Sequence, residues 1–291
     1  MARVQRLVVL THLRQGLDKD YFLARMKRFC WDAEGREVIV HQGARTPPDA
    51  DLAILHVDLT RVPDEYCRLA ARYPRCINAA VTDTGKRRIS RWLVSRDDDY
   101  DGAVMVKSDL NHEGNAERRL RLAEGGLAAR LHEAALRWLP PAWGGRQRGY
   151  QVFQRKAQVP AWVWRRPDLV VERFFTEPHG DLFAIRMWDF CGERGHVATM
   201  LSPTPFVKLV NCVAYPPIED SPPEAVRQRR RELGIEYGKI DYLMHEGEPV
   251  VLDVNPTPHY GNTEINERNL WIIRNLAAGL DSLATQAPCA G

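Results

Sequence analysis

The most constraining stretch of the chain is Gly238-Lys239-Ile240-Asp241-Tyr242, followed by Pro249-Val250-Val251-Leu252-Asp253-Val254-Asn255-Pro256-Thr257-Pro258. Two short apolar runs flank His245-Glu246-Gly247-Glu248, which is the pattern of a β-hairpin. Side chains alternate along a strand, so Asp253 and Asn255 share a face, and pairing can bring Asp241 beside them. Two carboxylates and an amide oxygen are hard ligands suited to Mg²⁺, which keeps water and phosphate in the rest of its shell. Asp, Asn and Pro also end strands and open turns with no further role. A polar pair straight after a Pro-Val-Val-Leu run, facing a third carboxylate, fits poorly with a strand built only for burial. The metal reading is therefore preferred.

A chain of 291 residues can bury a sizeable core as one large or two modest domains. Its 44% hydrophobic and 27% charged residues are those of a soluble globular protein. The net charge of +3 is small beside 41 basic and 38 acidic residues, and no basic block is interleaved with aromatics, so nucleic acid is not an expected partner. The basic run Arg227 to Arg231, broken by Gln228, reads as a solvated helix face. Cys30, Cys67, Cys76, Cys191, Cys212 and Cys289 show no metal-ligand spacing. They argue against a zinc site or a disulfide framework and fit a reducing, cytoplasmic setting. The apolar opening Met1 to Leu10 is too short for a signal peptide, and no run reaches the ~18 apolar residues of a membrane span.

In chain order, Gln5 to Thr11 reads as a buried strand and Asp18 to Cys30 as an amphipathic helix. Glu37 to His41 and Asp51 to Val57 are further strands, and Pro63 to Tyr73 is a helix with an acidic first turn. Strands alternating with helices predict a small parallel α/β sheet over the first eighty-odd residues; without a GxGxxG it carries no dinucleotide fingerprint. Gly85-Lys86 opens a predicted helix to Val94. It is not a P-loop, because the upstream glycine is missing and Arg87 stands where Ser or Thr would hold magnesium. Lys86 by itself is read as a plain surface lysine.

Asp101 to Lys107 is a strand ending in a lysine that can meet a phosphate, though a strand-end lysine is also common for solubility, and Ser108 to Asn115 follows as a polar loop. Ala116 to Leu139 reads as one long helix. Leu169 to Phe175 is a strand with a charge, Glu172, where the run should stay apolar. Its neighbours suggest a nucleotide hinge, with backbone groups on the base edge and a carboxylate on the ribose. Asp181 to Phe190 and His196 to Leu201 read as a hairpin in which Arg186 is either an edge residue or aimed into a cleft. Pro222 to Leu233 and Ile265 to Leu280 are helical. Trp162, Trp164, Trp188 and Tyr260 read as core aromatics, with a substrate cleft as the alternative.

Taken together these residues resemble the ATP-grasp superfamily of carboxylate–amine ligases, in particular ribosomal-protein S6 glutamate ligases, D-alanine–D-alanine ligases and glutathione synthetases. The resemblance spans roughly Asn78 to Gly279 and is most specific in Leu233 to Leu243 and Pro249 to Pro258. It implies an α/β protein of the α+β ATP-grasp fold: a pre-ATP-grasp α/β domain (residues 1–84), a lid subdomain (85–176), a metal-binding subdomain (177–282) and a frayed tail (283–291).

The resemblance also implies ATP with Mg²⁺, or Mn²⁺ in its place, held by Asp241, Asp253 and Asn255. Lys86 and Lys107 would meet phosphates, and Glu172 with Arg173, Phe174 and Phe175 the adenosine. Lys239 would stand where relatives often have an arginine that steadies the developing anion, and Arg186 and Asn211 where they contact phosphate or the acyl intermediate. The implied activity is activation of a carboxylate as an acyl phosphate and its transfer to an amine or thiol, with a small-molecule kinase or a non-catalytic nucleotide-binding module as alternatives. A homodimer is common among such proteins. Asp253 replaces their usual Glu, and Thr257-Pro258-His259-Tyr260 replaces a Pro-Gly turn, so the acceptor is not carried over. His259 is a candidate acceptor base, but a lone histidine after a turn is more often structural or exposed.

Overall fold

The computed structural model of the chain describes residues 4–145, 149–260 and 265–285. Among its opening runs, β1 (Arg6–Thr11) and β3 (Leu52–His56) are almost wholly buried, while β2 (Glu37–Gln42) is more open. β1 lies parallel to both β2 and β3, and β4 (Cys76–Ile77) completes a four-stranded sheet in the order β2-β1-β3-β4. Continuous apolar strands are what a parallel sheet covered on both faces requires. The helix expected over Asp18 to Cys30 begins only at Phe22 (α1, Phe22–Met26) and widens into a π-turn over Lys27–Trp31. Tyr21 is held extended in a bridge to His259, and Phe22 N donates to Pro258 O, so a distant segment overrides the local helical pattern. α2 (Asp64–Ala70) opens with Asp64 and Glu65, where the helix dipole favours acids.

The following stretch builds a three-stranded antiparallel sheet in the order β6-β5-β7, from β5 (Val104–Ser108), β6 (Gln151–Phe153) and β7 (Leu169–Arg173). α3 (Lys86–Ile89) stops well short of Val94, because Val94 N donates to Val171 O and Leu93 bridges Glu172. The single helix expected from Ala116 to Leu139 is two, α4 (Asn115–Glu124) and α5 (Gly126–Trp138). Gly126 sits at φ +56°, outside the helical region, which marks the break.

The rest of the chain forms an antiparallel sheet, β10-β9-β11-β12 with β8 on β9. Its strands are β8 (Glu177–His179), β9 (Leu182–Cys191), β10 (Arg194–Ser202), β11 (Tyr237–His245) and β12 (Glu248–Asn255). α6 (Glu224–Glu232) precedes β11, and α7 (Glu267–Ala277) and α8 (Leu280–Thr285) follow β12. Asn266 caps α7 by accepting from Asn269 N, and Ala278-Gly279 divides the helix expected to Leu280 from α8. Residues 286–291 of the expected tail, including Cys289, lie outside the described residues, as do Met1 to Arg3 and Gly261 to Glu264.

The chain divides into two compact units. The first contains the chain up to Asp58, Val62–Thr82 and everything from Thr176 onward; the second contains Leu59–Arg61 and Asp83–Phe175. In the first, the parallel sheet and the C-terminal elements share one core, in which Leu7, Leu23, Trp31 and Ile54 pack with Tyr237, Ile273, Leu276 and Leu283. A buried polar clamp reinforces it. The Arg75 guanidinium pairs with Glu236 and donates to Leu283 O, while Asn78 Oδ1 accepts from Glu236 N and Tyr237 N. The second unit has its own core of Val94, Val104, Val106, Val159, Val163, Leu169 and Val171, with Trp162 and Trp164 packed against it as expected of core aromatics. Among the described residues, no helix is long and apolar enough to cross a membrane.

Candidate active site

The hairpin read from the sequence is formed. Glu246 and Gly247 turn it at φ +52° and +85°, the left-handed pair that matches strand twist in a two-residue loop. Across β11 and β12, Asp241 stands opposite Asp253 and Lys239 opposite Asn255. Directly opposed residues of antiparallel strands share a face, so all four side chains project together. Leu252 is the extra residue of a bulge just beyond this quartet, where the register shifts between Asp241 and Tyr242. Gly238 precedes the quartet because a Cβ there would lie 2.7 Å from Asn255 O and 3.2 Å from Pro256 Cα.

Lys239 Nζ lies 3.0 Å from the Asp241 carboxylate. Burial pushes the ammonium down, but the carboxylates of Asp241, Asp189 and Asp253 together hold it above the ordinary lysine range. Asp189 is a member of this face that the sequence reading missed. It sits opposite Lys239 on β9, is almost fully buried, and has one oxygen, Oδ1, without a hydrogen-bond partner among the described residues. Burial lifts it to about 7, against the pull of Lys239. Its other oxygen is 3.6 Å from His196, which burial lowers to about 4. The available signal was a lone acid in the apolar run Met187-Trp188-Asp189-Phe190, the same anomaly that singled out Glu172.

Asn255 Oδ1 accepts from Thr257 N at 2.8 Å and lies 3.1 Å from Thr257 Oγ1. The single hydroxyl proton of Thr257 is also offered to Asp58 Oδ1, 2.9 Å away. A carboxylate is the stronger acceptor, which leaves Asn255 a lone pair. Two carboxylates and that amide oxygen fit a hard divalent cation whose remaining ligands are phosphate and water. Among the described residues, no three His, Cys, Asp or Glu side chains converge on a metal site by themselves.

Two residues that the resemblance implies contact phosphate or the acyl intermediate, Arg186 and Asn211, do not share this face. Arg186 pairs with Tyr242, one position out of phase with Asp241, and so projects from the opposite face. Its guanidinium is 2.6 Å from Glu177 and 2.8 Å from Glu219. That position does not support the expected contact with phosphate. Asn211 spends its amide on its own loop, accepting from Lys208 N and donating to Thr204 Oγ1 and Phe206 O.

In the second unit, Lys86 is 3% exposed, which excludes the plain surface lysine, and its ammonium bonds Asn111 Oδ1. Asn111 is fixed in turn by Thr84 and Thr60. Lys107 is buried too and lies 2.7 Å from Glu172, while Glu172 Oε1 has no hydrogen-bond partner among the described residues. The ion pair holds the Lys107 ammonium at the end of β5. At the hinge, Arg173 N donates to Trp92 O and Phe174 N to Ala103 O, so neither N–H is free for a base edge. Arg173 lies over the Tyr100 ring at 4.4 Å, and Phe175 meets Trp92 edge-on at 4.9 Å.

The architecture defines the fold: the chain has the ATP-grasp fold. The solved structure that carries this assignment is D-cycloserine synthetase DcsG, with a TM-score of 0.50, 13% identity, and 95% of this chain and 99% of that one covered. A RimK domain ATP-grasp protein from Sphaerobacter thermophilus matches at a TM-score of 0.46 and 14% identity over 95% of this chain and 98% of that one. A D-alanine–D-alanine ligase from Bacillus anthracis complexed with ATP matches at 0.48 and 10% over 96% and 97%. No protein-family model matches the chain, and no curated protein does.

Proposed function

We propose that the protein is an ATP-dependent, Mg²⁺-requiring ligase that activates a carboxylate as an acyl phosphate and joins it to an amine. The observation that carries this reading is the single strand face on which Asp241 opposes Asp253 and Lys239 opposes Asn255. Asp241, Asp253 and Asn255 hold the metal, which supplies neutralisation of phosphate charge. Lys239 steadies charge developing on the transferred phosphoryl group. In the second unit, Lys86 and Lys107 bind phosphate oxygens, Glu172 offers its unpartnered oxygen to a ribose hydroxyl, and Arg173 to Phe175 provide the surface for adenine. No covalent step on the protein is needed; positioning and charge neutralisation perform the chemistry.

The test is thermal melting with Mg²⁺ alone, then with Mg²⁺ and a non-hydrolysable ATP analogue, for wild type and Asp253→Ala. At one hundred times its dissociation constant the ligand adds roughly 2.7 kcal/mol of stability. A magnesium-dependent rise lost in Asp253→Ala is expected; no shift at millimolar nucleotide would refute the assignment. Phosphate released only when a carboxylate and an amine are both present separates ligation from a kinase reaction, which leaves a stable phosphoester.

A further inference from the structure

We infer that His259, oriented by Asp58, is the base that takes a proton from the incoming amine; the inference rests on the ligase reading above. The parallel sheet places the group. β1 and β3 are neighbours, yet the chain reaches β3 by way of β2 on the far side of β1. The carboxyl ends of β1 and β3 therefore flank a topological switch point, where open α/β sheets bind ligands. Asp58 lies two residues beyond the end of β3.

The segment carrying His259 is pinned there. Tyr21 and His259 form an antiparallel bridge, Phe22 N donates to Pro258 O at 3.1 Å, and Tyr260 N to Asp20 O at 2.7 Å. The His259 ring lies on the Tyr21 ring with centroids 3.9 Å apart, and its Nε2 is 4.0 Å from Asp58 Oδ2. The Asp58 oxygens also accept from the Tyr21 hydroxyl at 2.8 Å and the Thr257 hydroxyl at 2.9 Å. Burial works against its charge, but its neighbours His259, Tyr21 and Thr257 hold Asp58 down at about 2, so it is an anion at neutral pH. An anion facing Nε2 favours the proton there and leaves the Nδ1 lone pair as the acceptor. The side chain is 43% exposed, within reach of a substrate. His56, at the end of β3, is buried and lowered to about 4, so it adds no competing cation.

Thr257 ties this dyad to the metal ligands: its hydroxyl bonds Asp58 and lies 3.1 Å from Asn255 Oδ1. Two side chains, Thr257 and Asp58, thus separate Asn255 from the base. In the step, His259 removes one proton from the ammonium and the freed nitrogen lone pair attacks the acyl carbon. The C–N bond forms, and the C–O bond to phosphate breaks with its electron pair on the leaving phosphate, which takes the second proton.

The experiment supplies MgATP, a panel of L- and D-amino acids as carboxylates, and one of two acceptors: ethylamine, an ammonium at neutral pH, or hydroxylamine, largely unprotonated there. The readout is the ratio of ethylamine-dependent to hydroxylamine-dependent phosphate release. In His259→Gly the ratio should fall by about 10²-fold or more, the usual share of a positioned base, and be partly restored by added imidazole. Asp58→Asn should lower the same ratio by a smaller factor. A ratio unchanged in His259→Gly, or a loss that imidazole does not restore, overturns the assignment while leaving the ligase reading intact. No hydroxamate from wild type with any carboxylate removes the ligase reading and this assignment with it.

Discussion

Removing the charge of Glu236 should unfold the first unit more readily than any surface change and loosen the acidic hairpin with it. Glu236 is 5% exposed and faces the Arg75 guanidinium, itself 7% exposed, through both carboxylate oxygens; Glu236 Oε2 also accepts from Asn78 N at 3.0 Å. In Glu236→Gln the shape and one carbonyl oxygen remain, but the negative charge is gone and an amide NH₂ replaces one acceptor of a guanidinium that also bonds the Leu283 and Cys76 carbonyls. Leaving one member of a buried ion pair uncompensated costs about 3–5 kcal/mol. The assay is urea unfolding followed by tryptophan fluorescence, with Arg75→Met and the double variant completing a cycle. The double variant, which buries no lone charge, should recover at least half of the single-variant loss. A single-variant loss below about 1 kcal/mol, or a double variant no more stable than Glu236→Gln, would refute the clamp as described. Because Asn78 bonds Glu236 N and Tyr237 N at the entry to β11, the same substitution should also weaken the nucleotide-dependent melting shift.

Gly238→Ala brings a Cβ against Asn255 O at 2.7 Å and should displace the end of β12. It is expected to cost about 1–3 kcal/mol and to lessen the Mg²⁺-dependent melting shift beyond that stability loss. A wild-type metal response in Gly238→Ala would mean that the close approach does not set the site. His56 is depressed to about 4 by burial, so between its unfolded value of 6.5 and about 4 only the unfolded chain takes up a proton. Its contribution is complete above pH 6.5 and is lost as pH falls toward 4, by roughly 3 kcal/mol. Unfolding of His56→Phe between pH 7 and 4 should show a shallower decline than wild type; equal slopes would place the acid sensitivity elsewhere.

Period-two patterning and turn chemistry are local, and they settled a good deal. The run Gly238 to Asn255 could hardly be other than a hairpin, because Glu246-Gly247 provides the left-handed turn and the flanking apolar residues the strands. Register next to the turn then followed, but not the bulge at Leu252, which is what brings Asp241 opposite Asp253. The buried strands β1 and β3 were legible as short continuous apolar runs. Strand alternation also marked Glu172 as anomalous, though not that its carboxylate would be shared with Lys107.

What depended on residues far apart in the chain was decided only by the tertiary structure. Pro258 and His259 pull Tyr21 out of a predicted helix; β9 brings Asp189 opposite Lys239; the phase of β9 against β11 turns Arg186 to the opposite face. The union of the N-terminal sheet with the acidic hairpin in one core is likewise a product of long-range packing. His259 is the clearest case. In the sequence it is a lone histidine after a turn, a candidate base without a partner in view, and the role inferred for it rests on its contacts with Asp58 and Tyr21, some two hundred residues earlier. A side chain's chemistry is set by which charges and hydroxyls lie within a few ångströms of it, and periodicity along one segment carries no information about partners delivered by another.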